Sequence, residues 1–406
     1  MHKLRNHYKT LQDSIKLRLR KFNFIDLAII ITGVGLAILI RMPFLDFKSS
    51  DFYNSLKPWY LTIHSMGFSA FRTNFTTYNP PYLYLLYIIA RTFPDLDKVL
   101  AIKLPSLITD FICAYLVYLI VALRYPMKPF AMVASLVFLF TPTVVLNSAF
   151  WGQADVLFTA PLLATLYFLM TKKNAMAFIA FGVSLSFKLQ ALFLAPLLIG
   201  LLLRREVSWK QFLLIPLVLF IAVIPAWIAG RPLPELLGVY MYQTQQYQLL
   251  EMTAATVYTW LPDTGLTQKY FTFTGVVFTA ALSLIFAILI YKSKVKLTNP
   301  LLLKLALVSV LFVPFFLPKM HDRYFFSADI ISIILAFYFP ELFFVPIVII
   351  LSSFFAYQST LFFVVPIPYA FLAGANFIVL VIIAKDAVMQ LFKSDIKSEM
   401  GIDAVK

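Results

Sequence analysis

Apolar runs of bilayer length recur along the whole chain, and that recurrence limits the fold more than any other feature. A spanning helix needs roughly 20 mostly apolar residues, with roughly 17 as the lower end. Such segments fall at 24–42, 103–123, 129–147, 154–170, 174–189, 190–203, 212–229, 273–291, 301–317, 324–339, 343–356 and 362–384. Hydrocarbon offers no hydrogen-bond partners, so each run has to satisfy its backbone internally as a helix. The expectation is an all-α polytopic membrane protein of about 12 transmembrane helices, one domain over 1–406. Whether 174–203 is two spans stays open, since both halves are short and only Lys188 and Gln190 mark the break. A share of 61% hydrophobic and 13% charged residues leaves no room for a soluble fold.

Charge orders these spans. The 34 Lys and Arg against 19 Asp and Glu give +15. Basic residues follow cytoplasmic loops, so the tail 1–23, with Lys3, Arg5, Lys9, Lys16, Arg18, Arg20 and Lys21, is placed in the cytoplasm. Alternation then puts Arg124, Lys172, Lys173, Arg204, Arg205, Lys210, Lys292, Lys294, Lys296 and the tail 385–406 on the same side. That side holds 22 basic residues and a net +14, the external side 12 and +1. The excess reports threading through a membrane and gives no support to nucleic-acid binding. The 13 residues 81–93 (PYLYLLYIIARTF) are about 20 Å of helix, too short to cross. They are expected as an interfacial helix inside a long external loop, 43–102. The run 24–42 exceeds a signal-peptide core and lacks a small-residue cleavage pattern, so it is expected as a span.

With that threading the unusual polar motifs share one face. Asp46 and Asp51 open the first loop, where Phe52, Leu56, Trp59, Tyr60 and Ile63 recur at helical spacing. Asp51 reads either as the cap of that surface helix or as a general base for a hydroxyl acceptor. Tyr78 and Asn79, beside a Pro pair, suit a rigid turn or sugar contact. Trp151, Gln153 and Asp155 lie between two spans. An ionisable Asp155 at the edge of an apolar helix needs a partner, and Lys188 is the candidate. Lys188 and Gln153 suit phosphate oxygens equally well. Lys319, His321 and Arg323 sit within PKMHDRY, where Arg323 offers a two-pronged donor for phosphate. Asp110 and Asp329 read either as satisfied core acids or as groups orienting these cations. The external loop 230–272 is rich in Tyr and Gln, a surface suited to substrate or to the interface. One cysteine, Cys113, excludes an intramolecular disulfide, and four His give little support to a metal centre.

Asp51, NPPY (79–82), FWGQAD (150–155), SFKLQALFLAP (186–196) and PKMHDRYFF (318–326) together resemble the bacterial integral-membrane mannosyltransferases related to the second mannosyltransferase of GPI-anchor assembly. These are members of the GT-C superfamily. The resemblance implies a GT-C-like fold and an inverting transfer of a hexose, mannose for this group, from a polyprenyl- or dolichyl-phosphate sugar. The acceptor would be a hydroxyl on a lipid-linked glycan or surface polymer at the external face. It implies Asp51 as base with Asp46 as runner-up, and His321, Arg323, Lys188, Gln153 and Lys319 at the donor phosphate. Tyr78, Asn79, Trp151 and Asp155 are left for sugar or acceptor. The implied partners are the lipid-phosphate sugar donor, a glycan or glycolipid acceptor and membrane lipid. No cofactor is expected: the spacing from Asp46 to Asp51 departs from the acidic pair that holds a divalent ion in many GT-C enzymes. The rival class is a secondary transporter or lipid-linked-sugar flippase, against which stand the absence of an obvious repeat and the gathering of polar motifs at one face.

Overall fold

The computed structural model describes residues 24–125, 128–245, 249–262 and 264–393. Twelve apolar helices or broken helices correspond to the twelve expected segments. They are α1 (Phe24–Arg41), α4 (Lys98–Ala122), α5 (Lys128–Phe140), α6 (Asp155–Met170), α7 (Asn174–Phe187), α8 (Ala195–Leu203), α9 (Leu214–Ile228), α10 (Gly265–Lys292), α11 (Asn299–Phe316), α12 (Phe326–Tyr338), α13 (Phe344–Phe362) and α14 (Tyr369–Leu391). Between α1 and α4 lie two shorter helices, α2 (Lys57–Met66) and α3 (Pro80–Thr92). Among the described residues, seven helices are long and apolar enough to cross a bilayer, and α5 with its continuation makes an eighth if that bent pair is one span.

The remaining segments are shorter, and the reasons are local. Pro142 follows Thr141 and the helix axis turns by 52°, because a ring nitrogen cannot continue the ladder. The chain then makes a π-turn over Leu146–Trp151 and stops at Gly152, whose left-handed backbone (φ 79°) suits glycine. The weak break near 188 is a true break. Lys188 is extended (φ −148°, ψ 144°) between α7 and a 3₁₀ turn over Leu189–Leu194. The loops expected over 43–102 and 230–272 end earlier, at Asp97 and Thr264, where side chains cap α4 and α10. The last helix also runs to Leu391, taking in the first residues of the expected tail 385–406. The tail 1–23 and residues 394–406 lie outside the described residues.

Packing sorts the helices by environment. α11 is the axis of the bundle, buried from Leu301 to Phe315. α1, α9 and α10 bare most of their apolar side chains, as helices do whose solvent is lipid. The first loop is a packed unit with its own core, in which Phe52, Trp59, Tyr60, Ile63, Tyr82 and Leu86 meet Ile102 of α4. Residues Glu251–Met252 (β1) run parallel to Met320–His321 (β2), so the later loop is strapped to the entrance of α12. These loops and the breaks at 141–154 and 188 all gather at one end of the bundle. At the other end Arg204 donates to the Ser293 carbonyl at 2.7 Å, and Lys304 pairs with Asp386.

Candidate active site

The gathered end contains a closed circuit of polar and aromatic side chains. Asp51 Oδ2 accepts from Trp151 Nε1 at 2.9 Å and from Gln153 Nε2 at 2.6 Å. Gln153 Oε1 accepts from the Tyr78 hydroxyl at 3.4 Å. The Tyr78 ring lies 5.2 Å from Lys188 Nζ, within cation–π range. Lys188 Nζ pairs with Asp155 Oδ1 at 2.7 Å, and Arg323 Nε approaches Asp155 Oδ2 at 3.7 Å. The Arg323 guanidinium, 5.2 Å from the Trp151 ring, completes the loop. Residues from five separate stretches, 51, 78, 151–155, 188 and 323, thus form one continuous set.

Local backbone explains each placement. The π-turn and the left-handed Gly152 send Trp151 and Gln153 toward Asp51, while Asp155 starts α6 and points inward. A side chain at 152 would also press on Lys103 Cγ, at 3.3 Å from an added Cβ. The extended backbone at Lys188 turns its side chain into the bundle. Asp51 does not serve as a cap: Ser49 Oγ accepts from the Phe52 N–H, and the Asp51 carboxylate is committed to Trp151 and Gln153.

Supporting groups hold the circuit from outside. Asn147 Nδ2 donates to Asp155 Oδ2 at 2.8 Å, so both carboxylate oxygens are engaged in a fully buried position. Lys103 Nζ donates to the carbonyls of Phe44, Leu45 and Phe47 at 2.8–3.0 Å, and Ser106 Oγ donates to the Gln153 carbonyl at 2.6 Å. Asp110 accepts from Arg41 at 3.0 Å and from Ser148 at 2.6 Å. Asp110 is therefore a core acid that ties α1 to the π-turn through Oδ2, while its Oδ1 is buried without a hydrogen-bond partner among the described residues. Asp329, bonded by Ser353 at 2.8 Å, is another core acid. Lys103, Ser106 and Asp110 lie at i, i+3 and i+7 on one face of α4, a polar stripe in an apolar helix. That spacing is visible in the sequence and marks the residues that position the site.

The loop bearing His321 sets its own electrostatics. Burial, then the charges of Arg323 and Lys188, push the His321 pKa down to about 3, so the ring is neutral at neutral pH. Burial raises the Asp322 carboxyl to about 6, against Arg323 and the Thr360 hydroxyl bonded to it at 2.6 Å. For Arg323 burial opposes the charge, but Asp155 above all outweighs it and the guanidinium is held above its ordinary value. The site therefore carries two fixed cations, a neutral imidazole beside them, and a carboxylate at the far side.

Other expected residues fall differently. Asp46 is exposed and outside the circuit. Asn79 Nδ2 donates to the Ser186 carbonyl at 3.1 Å and the Tyr240 hydroxyl at 2.7 Å, which ties the first loop to α7 and the later loop. Trp151, Gln153 and Asp155 are almost wholly buried and spend their polar groups on protein partners. Lys319 has a left-handed backbone, and its N–H bonds the Leu250 carbonyl at 2.7 Å, continuing the strap. Among the described residues, no three His, Cys, Asp or Glu side chains come together as a metal site.

No family model and no curated protein matches the chain. A solved structure does: ArnT from Cupriavidus metallidurans bound to undecaprenyl phosphate, at a TM-score of 0.54 and 13% identity, covering 89% of this chain and 76% of ArnT. The chain shares the fold of ArnT. The apo state of the same ArnT aligns over the same shares at a TM-score of 0.41 and 12% identity. At these identities the likeness to ArnT concerns the fold, and with it the character of an integral, multi-pass membrane protein.

Proposed function

We propose that the protein is an inverting glycosyltransferase that moves a hexose from a polyprenyl- or dolichyl-phosphate sugar to an acceptor hydroxyl on a lipid-linked glycan or surface polymer. Mannose is the hexose that the resemblance implies. The observation that carries the reading is the circuit itself, which fixes two carboxylates, Asp51 and Asp155, and two cations, Lys188 and Arg323, in a common frame. With Oδ2 of Asp51 occupied by Trp151 and Gln153, Oδ1 is the oxygen that meets the acceptor. Asp51 takes the hydroxyl proton as the acceptor oxygen forms its bond to the anomeric carbon. The bond from that carbon to the lipid-phosphate oxygen breaks on the opposite face, and the electron pair leaves with the phosphate.

Negative charge then grows on the leaving phosphate, where preorganised cations lower the barrier most. Arg323 supplies a two-pronged donor and Lys188 a point charge, with Asp155 orienting both from behind. His321, neutral beside them, serves as hydrogen-bond partner to the phosphate, and Lys319 adds positive charge at the entrance. Undecaprenyl phosphate bound to ArnT supports a lipid-phosphate donor for this fold. The charge pattern supports cytoplasmic termini and an external site, and the resemblance to bacterial enzymes implies residence in a bacterial plasma membrane.

The test is transfer itself. Purified protein in detergent is incubated with a labelled polyprenyl-phosphate hexose and candidate acceptors. Covalent transfer that disappears in Asp51→Asn supports the enzyme. Labelled lipid or sugar crossing sealed vesicles with no covalent product would favour the transporter class and sink the proposal.

A further inference from the structure

An apolar cavity lies away from the candidate active site, on the lipid-facing flank where α10, α11 and α14 meet. It measures about 270 Å³ and is lined throughout by Leu, Ile, Val, Phe and Ala. Ile285 of α10 and Val381 of α14 form its rim and are about half exposed, so it opens sideways into the bilayer. Its floor is fixed. The Ser293 hydroxyl donates to the Leu391 carbonyl at 2.7 Å, which pins the ends of α10 and α14 together.

Two cations border this groove, Lys292 at that pinned end and Lys385 about 9 Å along α14 from Leu391. Lys292 follows the groove residues Ile285 and Leu289 at i+7 and i+3, and so extends their row by one turn. Lys385 lies between Val381 and Val388 at i+4 and i−3 on α14. Both lysines are exposed, as are Lys294, Lys296 and Lys393 nearby. The acid closest in sequence, Asp386, is taken by Lys304 and Gln390. Nothing in the stretch 292–298 adds a negative charge. Among the described residues an apolar slot therefore ends in a surplus of positive charge, at the end of the bundle opposite the Asp51 circuit.

We propose that this groove is a binding site for one anionic phospholipid, with an acyl chain along α10, α11 and α14 and the phosphate at Lys292 and Lys385. The charge sits at the end facing away from the circuit, so the lipid comes from the leaflet opposite the candidate active site. That placement separates it from a lipid-phosphate donor, whose phosphate belongs at Arg323 and Lys188. The bound lipid would brace the α10–α14 seam, where direct helix contact is sparse beyond the Ser293–Leu391 pin.

Native mass spectrometry of the full chain tests this, using equimolar phosphatidylglycerol and phosphatidylcholine of identical chains. The expected result is one retained phosphatidylglycerol, preferred by roughly tenfold, the scale set by two lysines near an anionic headgroup. Lys292→Gln with Lys385→Gln should erase the preference; both lysines are exposed, so folding is not at stake. Ala384→Phe, which fills the groove, should abolish retention of either lipid. Equal retention of the two lipids by the unaltered protein overturns the proposal, as does an unchanged preference in the double variant. Displacement by added undecaprenyl phosphate, insensitive to the two Gln substitutions, would assign the groove to a donor tail and overturn it too.

Discussion

Lys188 Nζ lies 2.7 Å from Asp155 Oδ1, with the lysine nearly and the aspartate wholly withdrawn from solvent. A buried pair of this kind holds its geometry well but leaves a costly charge when one member is removed, about 3–5 kcal/mol. Asp155→Asn should therefore lower the melting temperature in detergent and abolish transfer, since Arg323 and Lys188 both lose their counter-charge. Lys188→Met alone should do the same. The double variant Lys188→Met with Asp155→Leu should regain most of the stability and none of the activity. Recovery of transfer in that double variant would show that the pair is structural only.

The indole of Trp151 has two separable jobs, donating its N–H to Asp51 and presenting its face to Arg323. Trp151→Phe keeps an aromatic face and removes the donor. A hydrogen bond to a charged group contributes about 1.5–3 kcal/mol, so kcat should fall roughly 10- to 100-fold with KM for the donor little changed. Gln153→Ala removes the shorter donor and should cost at least as much. An equal rise in donor KM for both variants would move their role from the Asp51 side to the phosphate side.

How far the sequence carries follows from which forces act locally. The twelve apolar segments are legible because lipid imposes one requirement on each run independently, and the short helix Pro80–Thr92 is legible by its length alone. Asp51, Lys188, Gln153 and Arg323 stand out as polar groups among apolar ones, and the structure brings them together. What escapes is where their atoms point. Asp51 looks like a cap because Ser49, the residue that performs that task, is no more conspicuous than its neighbours. Asp155 looks like a contact for substrate because its second partner, Asn147, lies in a π-turn that no periodicity announces. The break at Lys188 is marked in the sequence by Lys188 and Gln190, whereas the bend at Pro142 is hidden inside an apolar run long enough to read as one straight span.

The pH response follows from His321 and Asp322. His321 falls from an ordinary 6.5 to about 3, so between those values the unfolded chain takes up a proton that the native protein refuses. Its contribution to stability is present above pH 6.5 and is lost as pH falls toward 3. Asp322 works the other way, since its carboxyl rises from 3.8 to about 6: its contribution is present below pH 3.8 and is lost as pH rises through 6. His321→Gln should flatten the loss of melting temperature between pH 7.5 and pH 5. Asp322→Asn should steepen it. Melting curves in detergent at the two pH values decide, and identical slopes in all three proteins would contradict the assignment.

Lys103 is the group whose removal best separates positioning from chemistry. Its ammonium reaches no member of the circuit, yet it donates to three carbonyls, of Phe44, Leu45 and Phe47, in the segment that leads into Asp51. The lysine stem also packs against Gly152, so one side chain registers the first loop against the Trp151–Gln153 turn. Lys103→Met keeps the stem and deletes the three hydrogen bonds, leaving buried carbonyls without their donor. The expected outcome is faster amide exchange across 44–52 and a kcat lowered roughly tenfold or more, with donor KM held within about twofold. Lys103→Arg, which retains a donor, should restore part of the rate. If exchange in 44–52 stays at the unaltered level while kcat falls, Lys103 acts through its charge on the reaction, and its place as a positioning residue is lost.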